Sequence, residues 1–210
     1  MDICYIVGAG SWYGPDIVPD ETDYVIAADG GFCHLKAKGI RTDLLIGDFD
    51  SMPRPDFHNI QVHKPEKDDT DLFLCAKEGL KRGYKSFALY GATGGERFDH
   101  TLGNLQLLHY LAKNGCKTVL FDEKSVLLAL CNDSIAFDES ANGYISVFSL
   151  SDVSKNVTLR NLKYTVENAS LTNDYPLGIS NEFIGKPAFI SVENGTLLIT
   201  CGYSAKERWL

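Results

Sequence analysis

Six short, largely apolar runs, at Ile3–Val7, Tyr24–Ala27, Leu44–Ile46, Ile60–His63, Phe87–Tyr90 and Thr118–Phe121, recur through residues 1–130. Runs this short and this apolar suit strands covered on both faces, the condition of a mostly parallel sheet flanked by helices. Helical spacing fills the intervals. Thr70–Arg82 carries Leu72, Cys75, Ala76, Gly79 and Leu80 at that spacing, with Asp69 or Thr70 placed to cap its first turn. Asp99–Lys113 does the same with Leu102, Leu105, Leu108 and Ala112, and Asp99 is the expected N-cap.

After about Leu130 the pattern changes to short strands separated by turn residues: Ile145–Leu150, Val157–Leu159, Tyr164–Val166, Ala188–Val192 and Leu197–Thr200. "ENGT" (193–196) is a hairpin signal, because Asn-Gly takes the positive φ angles of a type I′ turn. The expectation is an α/β domain over 1–130, followed by an all-β sandwich or barrel over 131–210. No repeat or low-complexity linker separates them.

A formal net charge of -8 argues against broad attraction to nucleic acid or an anionic membrane, so any phosphate must be met locally. The six cysteines are scattered without a C-x-x-C pair, which predicts buried free thiols in a reducing, cytoplasmic compartment. No apolar run approaches the roughly 20 residues needed to cross a bilayer. "MDICYIVGAG" lacks a basic leader and reads as mature protein, and the sequons at Asn156, Asn168 and Asn194 are expected to stay unmodified.

In an open parallel sheet, ligands bind beyond the carboxyl ends of the strands. The polar clusters fall there: "ADGG" (28–31), "GDFDS" (47–51), "KPEKDDTD" (64–71) and "GATGGERFDH" (91–100) each follow an apolar run. Asp and Gly are ordinary turn residues. Turn chemistry does not, however, require Asp48, Asp50, Asp68, Asp69 and Asp71 to converge on one sheet edge, where like charges repel unless a cation neutralises them. Mg²⁺ is such a cation; it is usually held by one or two carboxylates together with substrate phosphates. Gly91, Gly94 and Gly95 permit close backbone approach, the helix start near Asp99 offers N–H donors, and Arg97 can grip phosphate bidentately.

Other motifs fit less well. No Walker A string occurs. "GAGSWYG" (8–14) has the wrong spacing for a dinucleotide fingerprint and reads as a tight glycine turn. The D-x-D of "DFDSM" resembles haloacid-dehalogenase-type phosphatases, with Asp48 as nucleophile, but there it follows the first strand and here the third. An EF-hand fails at Met52 and Pro53. The five histidines form no metal-binding set, and His100 stands out only for adjoining Asp99.

In order and spacing, "ADGG", "LIGDFDS", "KDDTD" and "GATGGERFDHTLGNL" resemble the bacterial thiamine pyrophosphokinase family. "NLKYTVENASLT" and "PLGISNEF" are similar to its C-terminal β domain. The resemblance spans nearly the whole chain. It implies transfer of pyrophosphate from ATP to the hydroxyl of thiamine, giving thiamine diphosphate and AMP. It also implies Mg²⁺ as cofactor and a homodimer in which thiamine lies between the ATP site and a partner's β domain. Asp48, Asp50 and Asp71 match the Mg²⁺ and catalytic carboxylates, with the base and the ligands not distinguished. Asp29, Gly30, Lys67, Thr93, Gly94, Arg97, Asp99 and His100 match the nucleotide-handling positions, and Ser180 and Asn181 those that meet thiamine. Eukaryotic relatives stack a tryptophan on thiamine where this sequence has Ile199; Phe183, Tyr203 and Trp209 are the alternative aromatics.

Overall fold

Each of the six apolar runs forms a strand in the computed structural model, which describes residues 2–49, 53–63, 68–95 and 97–202. These are β1 (Ile3–Val7), β2 (Tyr24–Ala28), β3 (Leu44–Gly47), β4 (Ile60–Val62), β5 (Ser86–Tyr90) and β6 (Lys117–Phe121). The helices are α1 (Gly31–Lys38), α2 (Asp71–Lys81) and α3 (Phe98–Lys113). The remaining strands are β7 (Ser125–Cys131), β8 (Ser134–Phe137), β9 (Tyr144–Ser149), β10 (Val153–Arg160), β11 (Val166–Thr172), β12 (Gly178–Glu182), β13 (Ala188–Ser191) and β14 (Thr196–Gly202). Among the described residues, no helix is long and apolar enough to cross a membrane. The described chain divides into two compact units, one reaching Leu107 and taking in Thr118–Glu123, the other comprising Leu108–Lys117 and the strands from Lys124 to Gly202.

In the first unit the strand order is β6-β5-β1-β2-β3-β4. The pairs β1/β2, β1/β5, β2/β3 and β3/β4 are all parallel. Ile6, Ile26, Leu44, Leu45, Phe87 and Leu89 are almost wholly buried, as expected for strands covered on both faces. Strand order reverses at β1: the chain goes on to β2 on one side and later places β5 on the other. Such a reversal in strand order is where sheets of this class accept ligands, here at the carboxyl ends of β1 and β5.

Thr70 takes extended backbone angles and its hydroxyl accepts the Phe73 N–H at 3.3 Å, so Thr70, not Asp69, is the N-cap of α2. Thr70→Ala is expected to lower stability by about 1 kcal/mol, and Thr70→Ser to restore most of it, as read by urea denaturation. The N-cap expectation for Asp99 is corrected, because α3 already begins at Phe98 and Asp99 lies within its first turn. Helix α1 has no counterpart in the sequence reading. Only Gly31 and Leu35 of its eight residues are buried, too few to set up a helical period.

The second unit contains strands in the order β12-β9-β14-β7 and a separate sheet in the order β11-β10-β13-β8, every pair antiparallel. The two layers form a sandwich, in which β9 approaches β11 and Phe137 meets Phe183 edge-on at 5.2 Å. The hairpin expected at "ENGT" does not form. Strand β13 pairs with β10 and β8, while β14 pairs with β7 and β9, so the turn hands the chain from one layer to the other. Gly195, at φ 129°, leaves the angles of a type I′ turn, and an added Cβ would lie 2.6 Å from the Ser154 hydroxyl. Close packing against β10, not strand pairing, is what requires glycine there.

Candidate active site

Residues at the carboxyl ends of β1 and β5 meet backbone to backbone. The Gly8 N–H donates to Tyr90 O at 2.8 Å, Gly10 N–H to Gly91 O at 2.9 Å, and Ser11 N–H to Thr93 O at 3.0 Å. A Cβ on Gly8 would lie 2.6 Å from Gly91 O, and one on Gly91, at φ +56°, only 2.2 Å from Gly8 O. Glycine is therefore obligatory at both positions. This accounts for the first half of "GAGSWYG": Gly8 and Gly10 are the half of a two-loop cradle that faces "GATGG", while Gly14 packs on Phe121. The His34 ring holds the outer side of that loop, its Nε2 donating to Gly10 O at 2.8 Å. Trp12 packs on Tyr90 with ring centroids 5.0 Å apart. Its indole N–H is buried without a hydrogen-bond partner among the described residues.

The acidic loops sit at the next strand ends. Asp29, just past β2, adopts φ 44° and donates its N–H to Ile46 O at 2.8 Å. Its carboxylate lies against Gly47, where an added Cβ would stand 3.2 Å from Oδ1. Asp48 follows Gly47 half-buried, and the next residue, Phe49, is again left-handed at φ 59°. Aspartate tolerates this region, whereas a left-handed Phe is uncommon and marks local backbone strain at the end of β3. Gly30 is the N-cap of α1, and a Cβ on Gly31 would fall 1.9 Å from Val7 O, pinning that helix start to β1.

Asp71 is the first residue of α2 and is half-buried. Its neighbour Leu72 reaches over Gly8, where an added Cβ would meet Leu72 Cδ1 at 2.8 Å, so packing fixes this helix start beside the glycine cradle. Asp69 is engaged by Lys77 at 2.7 Å. Asp50 and Lys67 lie outside the described residues. Among the described residues, no group of three or more His, Cys, Asp or Glu side chains could hold a metal ion.

The second half of the glycine-rich loop is exposed. Gly94 and Gly95 both have positive φ, and Arg97 forms an ion pair with Asp99 at 2.5 Å. The Arg97 hydrogen bond holds the Asp99 carboxyl below its usual range, and Asp99 in turn raises the guanidinium. At 68% and 62% exposure the pair is strongly screened, so Arg97 can exchange Asp99 for a phosphate at little cost to the fold. His100 is exposed beside them.

Sequence reading missed the residues that hold this loop from behind. Buried Asn104 on α3 donates its Nδ2 to Ala92 O at 2.6 Å, and the Thr93 hydroxyl donates to Asp122 at 2.7 Å. A lone Asn within an apolar helical stripe was the available signal for the first. Nothing in the sequence marked Asp122.

In the second unit Ser180 is exposed at φ 57°, its N–H donating to the Ser146 hydroxyl at 3.0 Å. Asn181 is buried, and its amide donates to Tyr164 O at 2.6 Å while accepting the Tyr164 and Glu182 N–H groups at 2.9 Å each. It braces β12 from within. Ile199 is completely buried and Phe183 is half-buried against Phe137; Tyr203 and Trp209 lie outside the described residues.

Comparison with known proteins agrees with this architecture. Residues 17–120 match the family described as thiamin pyrophosphokinase, catalytic domain, and residues 133–197 its vitamin B1 binding domain. The thiamine pyrophosphokinase of Bacillus subtilis is 32% identical over 201 residues, covering 89% of this chain and 94% of that one. A crystal structure of thiamine pyrophosphokinase from the same species superposes with a TM-score of 0.83 at 29% identity, covering 97% of this chain and all of that one. The thiamin pyrophosphokinase structure from Geobacillus thermodenitrificans gives 0.80 at 28% identity, over 97% and 99%. The D-x-D here follows β3, so the phosphatase reading gains no support. With both family regions matched in order and a relative aligned along nearly its full length, the chain belongs to the thiamine pyrophosphokinase family.

Proposed function

We propose that this chain transfers pyrophosphate from ATP to the hydroxyl of thiamine, releasing AMP, with the α/β domain of residues 1–130 carrying ATP and the β domain of 131–210 meeting thiamine. The observation that carries the site assignment is that Asp29, Asp48 and the start of α2 at Asp71 sit at carboxyl ends of the parallel strands beside the glycine cradle. In this reading Gly30, Thr93, Gly94, Arg97, Asp99, His100 and Lys67 line the nucleotide. Asp48, Asp50 and Asp71 supply the carboxylates. Ser180 meets thiamine, with Asn181 holding the strand beneath it.

Two carboxylates at a sheet edge fit Mg²⁺, which prefers oxygen ligands and takes the rest from water and phosphates. When bound, Mg²⁺ would neutralise charge developing on the transferred phosphates. Attack by an alcohol on the β-phosphorus also needs in-line placement and a proton acceptor. The glycine cradle and Arg97 place the triphosphate, and a carboxylate among Asp48, Asp50 and Asp71 accepts the hydroxyl proton.

Exposed Tyr144, Tyr175, Leu177 and Ile179, on and around the edge strand β12, support a homodimer with active sites at the subunit interface. The absence of disulfides among the six cysteines supports a reducing, cytoplasmic setting.

Incubation with ATP, Mg²⁺ and thiamine is expected to give AMP and thiamine diphosphate in equal amounts when the products are resolved by chromatography. ADP with thiamine monophosphate would refute pyrophosphoryl transfer. A phosphorylated Asp48 would point to the phosphatase chemistry instead.

A further inference from the structure

We propose that Asn104 and Asp122 are positioning residues for the reaction, turning the loop between β5 and α3 so that its amides, and not its carbonyls, face the triphosphate. This rests on the reading that the loop binds ATP. Three successive carbonyls in the loop are already taken by the protein: Gly91 O by Gly10 N–H at 2.9 Å and Thr93 O by Ser11 N–H at 3.0 Å, both from the loop after β1, and Ala92 O by Asn104 Nδ2 of α3 at 2.6 Å.

A peptide plane is rigid and its C=O and N–H point in opposite directions, so these ties turn the Ala92 and Gly94 N–H groups away from the loop after β1 and the Thr93 N–H away from Asn104, leaving amides and not carbonyls unengaged by these partners. Left-handed Gly94 and Gly95 follow directly, a backbone succession of the kind that makes concave anion sites. Two of the three ties are main-chain bonds made possible by the glycines of the cradle. The middle one depends on the Asn104 side chain, which is 5% exposed. The Thr93 hydroxyl adds a fourth restraint through Asp122 at 2.7 Å. Without Asn104 the Ala92 carbonyl is left buried and unsatisfied, and a peptide flip toward solvent relieves it. The flipped carbonyl then opposes the phosphates. Neither side chain is required to touch ATP.

The test is calorimetric titration of the full-length protein with α,β-methylene-ATP and Mg²⁺, and separately with thiamine. Asn104→Leu and Asp122→Ala are each expected to weaken the nucleotide analogue by about tenfold or more while thiamine affinity stays within about twofold. Asp122→Asn keeps an oxygen that accepts the Thr93 hydroxyl and is expected to stay within about threefold of wild type for the analogue. The proposal is overturned if Asn104→Leu and Asp122→Ala bind the analogue as wild type does. It is equally overturned if affinities for both ligands fall together in step with melting temperature, because the two residues would then be struts of the fold. Should Asn104→Leu fail to fold, the Asp122 pair carries the same comparison. A wild-type protein that binds no nucleotide removes the proposed function and this inference together. Wild-type binding with unaltered variants removes this inference alone.

Discussion

Asp71→Asn is expected to lower turnover by roughly 10²–10⁴-fold and leave the fold intact. The two effects separate because of where Asp71 sits. As the first residue of α2 it contributes to stability through the helix dipole, an effect of about 0.3–1 kcal/mol, and the cap itself is Thr70. Asparagine keeps the shape and removes the charge and the basicity. In the proposed reaction those two properties are what the carboxylate supplies, whether it holds Mg²⁺ or accepts the thiamine proton. Steady-state rates with ATP and thiamine, beside a urea denaturation curve, check both halves. Full activity in the variant would remove Asp71 from the set of carboxylates.

The largest effect on stability is expected at Gly91→Ala. The new Cβ would stand 2.2 Å from Gly8 O, a main-chain atom held by the pairing of β1 with β5, in a backbone at φ +56° that alanine resists. Overpacking and a left-handed alanine together cost on the order of 3 kcal/mol. Relief requires prying apart the ends of two central strands, so affinity for α,β-methylene-ATP should fall with stability. Gly95→Ala is the matched control. It too has positive φ, at +84°, but nothing lies within 4 Å of its added Cβ, so only the conformational penalty of about 1 kcal/mol applies. Equal losses at the two positions, measured by denaturation, would refute the crowding argument.

The parallel sheet was legible because burial on both faces leaves strands such as "LLIG" no polar residue to confuse the period. The acidic and glycine loops were legible because a sheet of this class exposes its functional loops at one end. Helix α1 was hidden by its short length and its two buried residues, and β12 because "GISNE" carries its apolar side chain outward, Ile179 being 54% exposed. The hairpin error at "ENGT" has another origin. Asn-Gly reports a permitted backbone angle, and what the chain pairs with afterwards is decided by the packing of two layers. Asn104 and Asp122 escaped for a related reason: a single polar side chain states a capacity to hydrogen-bond, and its partner, a carbonyl 12 residues away in one case, is set only by the fold.

Where the loops after β1 and β5 cross, main chain rests on main chain with no side chain between. A wall of this kind has no dial. Residue exchange at Gly8, Gly10 or Gly91 can break it but cannot adjust it, so preference among nucleotides must be tuned by side chains mounted around the wall, Trp12, Asp29 and Arg97 among them. Evolution or design that seeks a new substrate on this scaffold has its working positions there.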